Sequence, residues 1–318
     1  MSVHSLPGLV KRDNDRRISR ESRWRTLLQQ EKRDLLSLSL WRGAFAEFVG
    51  TGLLCTFTIG FGMTPEGGTP PSILQIAISV GFFLSVIITA LSNVSGAHVN
   101  PGISVAFFVT GHCTFVRLLI YSVFQCLGAV TGTGLLKYMA PSSHVGSLGL
   151  IQPGPGITDT QAMLAEGMIT FLLTFATVAM IDPKRTDVHG SIPLIVGLTV
   201  SVNIFFANTI SGGCMNPARA FGPAVITGRW NRLHIYWLGP LAGAVIGGLL
   251  YDVFFSAGKL QAKRWCSPLS YGPYGDPDDE DDDNGTDDGE NVSDSMPLRN
   301  GKSTHAPIYR DENYETRI

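Results

Sequence analysis

Six long apolar stretches with almost no charged residues dominate this sequence. Each is close to the length of about 20 residues that a helix needs to cross a hydrocarbon layer of about 30 Å. None shows the polar face, repeating every 3.6 or 2 residues, that a soluble α/β protein would need. The stretches cover residues 41–62, 72–92, 115–138, 160–181, 191–210 and 234–255. We therefore predict an all-α membrane protein with six transmembrane helices.

The charged residues lie mainly at the two ends of the chain. The net charge of −2 therefore averages over unlike parts and says little about partners. Residues 1–40 are rich in Lys and Arg, Lys184 and Arg185 follow the fourth stretch, and further bases follow the sixth. Because basic residues accumulate in cytoplasmic loops, we predict a multi-pass protein of the cell membrane with both termini in the cytoplasm.

Two short stretches, Asn100-Pro101-Gly102 and Asn216-Pro217-Ala218, each follow a turn of small residues. Asn is a good helix N-cap, and Pro suits the first helical position, so both stretches predict helix starts. One Asn-Pro pair more often marks a turn, but two pairs at matching places in the chain favour helices. The apolar run after the first pair, residues 102–109, is too short to cross a bilayer. We predict a half-helix that enters the membrane and returns.

The second half of the chain repeats the pattern of the first. Ala46-Glu47 and Ala165-Glu166 begin similar segments, and the Asn-Pro pairs follow 53 residues after Glu47 and 50 after Glu166. Because the first unit contains three full spans, the second enters from the opposite face, which gives an inverted repeat over about 41–138 and 160–255. A carboxylate at this depth is either a proton relay or a buried hydrogen-bond acceptor, and we favour structural acceptors for both.

The inverted repeat predicts that the two half-helices meet with their N-termini near the membrane midplane. Each N-terminus carries about half a positive charge, which disfavours cations and hydronium between them. The amides of Asn100 and Asn216 are placed to donate hydrogen bonds to a passing molecule, as in pores that admit water but not ions. This arrangement indicates a pathway for small neutral molecules.

From Trp41 to about Phe255 the chain resembles the major intrinsic protein, or aquaporin, family. That family has paired Asn-Pro-Ala boxes, which the two Asn-Pro stretches resemble. It also has a Glu in the first and fourth spans, as Glu47 and Glu166 are here, and an Arg after the second box, as Arg219 is. The stretches 212–224 and 235–241 are most similar to the eighth mammalian aquaporin type. The resemblance implies six tilted helices and two re-entrant half-helices, assembled as a homotetramer with one pore per subunit and a role in osmoregulation.

The resemblance also implies an outer constriction, or selectivity filter, formed by Val80, Ile204, Gly213 and Arg219. Water-selective members usually have an aromatic residue at the first position and His at the second, so this ring would be wider and more apolar. Gly102 stands where the family usually has Ala, which lowers helix propensity by about 1 kcal/mol.

We expect a passive channel for water that excludes protons and ions and also passes hydrogen peroxide and ammonia. Ala220 disfavours the typical glycerol channels, which have Asp there, whereas the wide ring favours larger solutes. A glycerol- or urea-permeable channel therefore stays open as an alternative, and an ion-coupled secondary transporter is a weaker one. We find no catalytic constellation and expect no cofactor, no metal and no nucleic-acid partner.

Three domains are expected: a basic cytosolic arm (1–40), the channel domain (41–258) and an acidic disordered tail (259–318). Residues 276–290 of the tail include ten acidic residues and no apolar one, and such a sequence stays solvated. Cys214, beside the second box, is either a mercurial-sensitive thiol or a small buried residue, and His98 is expected to be structural. Ser19 follows two arginines and resembles a kinase site. Thr316 and Ile318 fit a C-terminal ligand of a PDZ domain.

Overall fold

The computed structural model describes residues 24–182, 185, 187 and 190–256, and these residues form helices and loops without a β-strand. They lie within one of the two units into which the chain divides, Met1–Gly275. Helix α1 covers residues 24–36. The following helices are α2 (Leu38–Gly60), α3 (Ile73–Ser95), α4 (Pro101–Val109), α5 (Phe115–Met139), α6 (Asp159–Met180), α7 (Ile192–Ala207), α8 (Pro217–Thr227) and α9 (Ile235–Leu250), and a π-helical turn (Tyr251–Phe255) continues α9.

The inverted repeat is the organising feature of the fold. In the first unit α2 packs on α5, in the second α6 packs on α9, and α3 packs on α7 between them. Small residues on one face of α5, among them Gly128 and Gly132, allow the first of these contacts. A Cβ atom on Gly132 would lie 2.0 Å from the backbone oxygen of Gly52, so only glycine fits there. Such close backbone approach is typical of helices that pack in lipid.

The two half-helices, α4 and α8, start at the predicted Asn-Pro pairs. Pro101 and Pro217 begin the helices, and Asn100 and Asn216 are their N-caps. The helices are 9 and 11 residues long, well short of a membrane span. The prediction of two re-entrant half-helices in an inverted repeat is therefore confirmed.

Five of the six predicted spans are long enough to cross a membrane, whereas α7 has only 16 residues. The sequence predicted this span over 191–210. The helix ends at Ala207 because the next residues turn back on it: the backbone N–H groups of Ile210, Ser211 and Gly212 all donate to the Ala207 oxygen. The end of the apolar run thus forms part of the loop before the second half-helix.

The N-terminal boundary of the helical body differs from the predicted one at residue 40. Helix α2 begins at Leu38, where Ser37 provides the N-cap, and α1 precedes it with a single residue between them. This region was assigned to a basic cytosolic arm, and within it Asp34 is only 9% exposed and pairs with Arg117 of α5. Residues 24–36 therefore belong structurally to the helical body.

Several predicted features lie outside the described residues. They are Ser19, Thr316, Ile318 and the acidic tail from 259 onward. Cys266 is also outside, while the four cysteines within the described residues are free thiols.

Candidate functional site

The loops that lead into the two half-helices have the same unusual backbone. Three matching positions in each loop have a positive φ, and the residues there that are not glycine adopt this conformation at a cost of about 1–3 kcal/mol each. The φ angles are 83°, 49° and 43° at Gly96, Ala97 and Val99, and 94°, 67° and 57° at Gly212, Gly213 and Met215. Such conformations persist only where surrounding contacts hold them.

Glu47 supplies those contacts in the first loop. Its carboxylate is fully buried, and Oε1 accepts hydrogen bonds from Ser95 Oγ (2.6 Å) and from the backbone N–H of His98 (2.9 Å). Oε2 accepts from the backbone N–H of Val99 (2.6 Å) and from Nε2 of Gln125 (2.8 Å). One side chain therefore fixes both ends of the strained segment.

Glu166 has the same place in the second loop. It is also fully buried, and Oε1 accepts from Ser211 Oγ (2.7 Å) and from the backbone N–H of Cys214 (2.9 Å). Oε2 accepts from the backbone N–H of Met215 (2.8 Å). Both glutamates thus make the contacts expected of structural acceptors, and neither lines the cavity described below.

The asparagines of the two boxes cap their own half-helices. Oδ1 of Asn100 accepts from the backbone N–H of Gly102 (2.8 Å). Oδ1 of Asn216 accepts from two backbone N–H groups, those of Ala218 (3.0 Å) and Arg219 (3.3 Å). These bonds satisfy first-turn donors that have no partner within a helix.

The same asparagines also join the two repeats. Nδ2 of Asn100 donates to the backbone oxygen of Met215 (2.9 Å), and Nδ2 of Asn216 donates to that of Val99 (2.8 Å). An amide nitrogen carries two N–H groups, and one is used in each of these bonds. Within the described part of the chain, no protein acceptor takes the second N–H, which lies beside the cavity that both side chains line.

A cavity of about 430 Å³ lies between the repeats. Both box asparagines and all four residues of the predicted constriction line it: Val80, Ile204, Gly213 and Arg219. Leu54 and Leu173, each seven residues after its repeat's glutamate, also line it, together with Thr58 and Thr177. The walls are therefore mostly apolar, and the polar groups come mainly from the two loops.

Arg219 is held by a loop that the sequence did not implicate. Its Nη1 donates to the backbone oxygen of Gly149, within the long connection between α5 and α6. Ile151 from the same connection lines the cavity. Gly213 faces Ile204 closely, since a Cβ added to this glycine would lie 3.3 Å from the Ile204 Cα.

Residues missed by sequence reasoning complete the support of the loops. Ser95 and Ser211 stand at matching places, and the repeated Ser-Gly pair was a signal that identifies them. Gln125 and Tyr236 had no such signal, because a polar residue within a span can face any neighbour. The Tyr236 hydroxyl donates to the backbone oxygen of Ser211 (2.8 Å).

Cys214 and His98 stand at the matching position of the two loops. Cys214 is 7% exposed, lines the cavity and lies 3.2 Å from the Asn216 backbone oxygen. His98 also lines the cavity, and its Nδ1 shares a hydrogen bond with Ser104 Oγ (3.0 Å). In contrast, Cys113 lies in the loop before α5, where burial raises the pKa of its thiol to about 12. Cys113 therefore stays a neutral thiol at physiological pH.

The fold and the site together define a membrane protein in which two inverted repeats bring two half-helix N-termini together beside a shared cavity.

No group of three or more His, Cys, Asp or Glu suited to a metal ion occurs in the parts of the chain that the structure describes.

Comparison with known proteins identifies this architecture. The family model for the major intrinsic protein matches residues 34–251, and the chain belongs to that family, the aquaporin channels of membranes. Mouse aquaporin-4 is 38% identical over 222 residues, which cover 68% of each chain. Rat aquaporin-2 is 37% identical over 232 residues, which cover 72% of this chain and 85% of the rat protein. The sheep lens fiber major intrinsic protein is 36% identical over 219 residues.

Among solved structures, the X-ray structure of the aquaglyceroporin from Plasmodium falciparum is similar, with a TM-score of 0.59. The match covers 67% of this chain and 96% of that chain. At 21% identity this likeness supports the fold and says nothing of the solute.

Proposed function

We propose that this protein is a passive water channel that excludes protons and ions and also passes hydrogen peroxide and ammonia. The observation that carries the proposal is the cavity between the repeats. It is lined by both box asparagines and by Val80, Ile204, Gly213 and Arg219. A pathway bounded by both repeats fits a channel better than a binding module, which needs a site open from one side.

The polar groups along the cavity favour small neutral molecules. The second N–H groups of Asn100 and Asn216 donate to the lone pairs of water, ammonia or peroxide. Two half-helix N-termini and the guanidinium of Arg219 add positive potential at the same cavity, so a cation or hydronium meets an electrostatic barrier.

The cavity chemistry disfavours an ion-coupled transporter. Coupling requires ionisable or unwound sites that bind the driving ion. The cavity-lining residues within the described part of the chain include no carboxylate, because Glu47 and Glu166 point into the loops.

A glycerol- or urea-permeable channel is the second candidate, and the filter favours it. Gly213 has no side chain, and Val80 and Ile204 replace the aromatic residue and His of typical water-selective members. The ring therefore leaves room for solutes larger than water. The relation to the eighth mammalian aquaporin type stays a prediction, since the relatives described above are aquaporin-4, aquaporin-2 and the lens protein.

Stopped-flow shrinkage of proteoliposomes tests the proposal. An impermeant osmolyte reports water flux, and inward gradients of glycerol, urea, ammonia and peroxide report solute flux. We expect fast water flux with a weak temperature dependence and no proton current under an imposed pH gradient. Solute accumulation against a gradient, or water flux equal to that of empty liposomes, would contradict the channel. Glycerol flux as fast as water flux would favour the second candidate.

We further propose a homotetramer in the cell membrane, with both termini in the cytoplasm and the tail from 259 onward as a separate solvated segment. The exposed apolar residues of the spans, such as Phe82 and Phe206, fit contact with lipid or with neighbouring subunits. Native mass spectrometry measures the assembly, and protease protection of sealed vesicles measures the orientation. Monomers, or termini cleaved by protease added outside intact cells, would count against these assignments.

Cys214 is proposed as the site of mercurial block, because it lines the cavity beside the filter. A Cys214→Ser variant that stays sensitive to mercuric ion would remove this role.

Two proposals concern residues outside the described structure. Phosphorylation of Ser19 is expected to change permeability or surface abundance, which a Ser19→Asp variant tests by showing a change in either. Thr316 and Ile318 are expected to bind a PDZ domain, and unchanged binding after deletion of Ile318 would exclude this.

A further inference from the structure

One side of α1 carries a stripe of exposed apolar side chains. Trp24, Leu28 and Leu35 are 58%, 67% and 41% exposed. Successive residues of a helix are about 100° apart, so residues at spacings of 4 and 11 fall within about 40° of one another. The three side chains therefore lie along one side of the helix, and Glu31 lies between Leu28 and Leu35 within about 40° of the centre of that side.

The side of α1 next to these three residues is fastened to the start of α5. The Glu31 carboxylate accepts hydrogen bonds from the backbone N–H groups of Phe115 (2.9 Å) and Val116 (2.8 Å). Asp34 and Arg117 form a buried ion pair (2.6 Å). These contacts place a negative charge at a helix N-terminus, which is favourable. They also hold the stripe, named here the α1 stripe (Trp24, Leu28 and Leu35), beside the face of α1 that contacts α5, and its three side chains stay exposed.

The end of α1 lies at the level where α2 enters the membrane. Helix α2 begins at Leu38, with one residue between it and the end of α1. The indole N–H of Trp41 donates to the backbone oxygen of Leu35 (3.2 Å), and Trp41 is 45% exposed. An exposed Trp in the first turns of a transmembrane helix lies among lipid headgroups. The hydrogen bond therefore brings Leu35 to the depth of the membrane surface.

Basic side chains flank the α1 stripe. Arg25 and Lys32 are exposed and lie about 60–80° from the stripe's centre on one side, at the angles where a surface helix carries its bases. Arg33 is also exposed but lies on the opposite side of α1. Each Lys or Arg near the surface of a membrane that contains anionic lipid increases the equilibrium constant for membrane contact about five-fold.

We propose that α1 lies in the interface of the membrane leaflet at which α2 begins. In this position the α1 stripe is inserted at the boundary between headgroups and acyl chains. Arg25 and Lys32 then contact the phosphate groups of anionic lipids such as phosphatidylserine. This interaction is independent of which solutes pass through the cavity.

The first experiment tests contact with the acyl region. Full-length protein is reconstituted in phosphatidylcholine vesicles brominated near the headgroup end of the acyl chains, and fluorescence quenching is compared between wild type and Trp24→Phe. The difference isolates Trp24 from the other four tryptophans. We expect Trp24 to be quenched by the brominated lipid and shielded from aqueous acrylamide. Quenching by acrylamide and not by the lipid would overturn the proposal.

The second experiment tests the preference for anionic lipid. Brominated phosphatidylserine and brominated phosphatidylcholine are compared as equal minor components of otherwise identical vesicles. We expect at least two-fold stronger quenching of Trp24 by the serine lipid. In an Arg25→Gln/Lys32→Gln variant the two lipids should quench equally, while the matched control Arg33→Gln should behave like wild type. Equal quenching of wild-type Trp24 by the two lipids would overturn the anionic preference. So would an Arg33→Gln control that loses the difference between the lipids as fully as the double variant. Water flux confirms that each variant is folded.

Discussion

The two repeats share one backbone design but divide its tasks unequally. Glu47 and Glu166 hold loops with the same positive φ angles, yet Glu47 accepts four hydrogen bonds and Glu166 three. The extra donor of the first repeat is Gln125. The sequences Gln125-x-x-Gly-Ala-Val and Pro240-x-x-Gly-Ala-Val align, and Pro240 has no side-chain donor to offer.

The second repeat carries more of the proposed filter. Its loop and half-helix contribute Gly213 and Arg219, whereas the matching residues of the first repeat are Ala97 and Ile103. Both loops line the cavity, but the first repeat has one more bond to its glutamate, whereas among the described residues only the second repeat supplies an arginine to the cavity. The features that the two repeats share therefore determine the backbone of the loops, and the positions at which they differ determine which groups face the cavity.

The largest effect is expected from removing either glutamate. Each buried donor left without an acceptor costs about 1–3 kcal/mol, so Glu47→Ala and Glu166→Ala should each lose about 3 kcal/mol or more of stability. Glu47→Ala should be the worse, because it leaves four donors unpaired instead of three. Thermal unfolding of the detergent-solubilised protein measures this. Gln125→Ala is the control, because it leaves Glu47 with three donors that match those of Glu166. The loss of stability in Gln125→Ala should be much smaller than that in Glu47→Ala.

A smaller effect is expected from the box asparagines. Loss of an N-cap costs about 1 kcal/mol, and Asn216 caps two backbone N–H groups where Asn100 caps one. Asn216→Ala should therefore destabilise the protein more than Asn100→Ala, and both should slow water flux. The same unfolding assay with stopped-flow shrinkage gives both readouts. A greater loss for Asn100→Ala would show that the capping bonds do not set the difference.

Gly213 and Ala97 occupy the same position in the two loops, and both have a positive φ, so the two residue types can be exchanged. Gly213→Ala should cost about 1 kcal/mol, because alanine is strained in this conformation, and its Cβ would crowd Ile204 and narrow the filter. Ala97→Gly removes strain but frees the unfolded chain, so its stability should change by less than about 0.5 kcal/mol. Flux of urea relative to water should fall only in Gly213→Ala. A fall in Ala97→Gly would place the constriction elsewhere.

The smallest effect is expected at Gly102, the departure from the usual box. An added Cβ would lie 3.2 Å from Asn100 Oδ1 and 3.6 Å from Thr170 Cγ2, so alanine fits after a slight shift. Gly102→Ala should gain less than about 1 kcal/mol from helix propensity and keep wild-type water flux. Ala218→Gly in the other box should lose a similar amount. A large loss in Gly102→Ala would mean that the first half-helix needs glycine.

The repeat, the half-helices and most helix ends could be predicted because local chemistry encodes them. Apolar length predicts a span, Asn followed by Pro predicts a helix start, and matching glutamates predict the repeat. Close helix packing was visible in the spacing of Gly128 and Gly132. These signals depend on residues near in sequence or on a strict repeat.

The remaining features depend on long-range contacts that no local pattern encodes. Gln125 and Gly149 gain their roles only when α5 and the following loop fold against the boxes. Residues 24–36 were assigned to a basic cytosolic arm because bases predominate over residues 1–40. The attachment of α1 to α5 through Glu31 and Asp34 could not be predicted from composition. The early end of α7 follows from three bonds to one carbonyl group.

The central claim is that water crosses through the cavity between the repeats. Two tryptophan substitutions on α7 test it in stopped-flow shrinkage at equal protein content per liposome. Ile204 is 6% exposed and lines the cavity, whereas its neighbour Phe205 is 44% exposed on the outer surface. We predict that Ile204→Trp lowers water flux to the level of empty liposomes while Phe205→Trp keeps the wild-type rate. Wild-type flux in a folded Ile204→Trp protein would contradict the account.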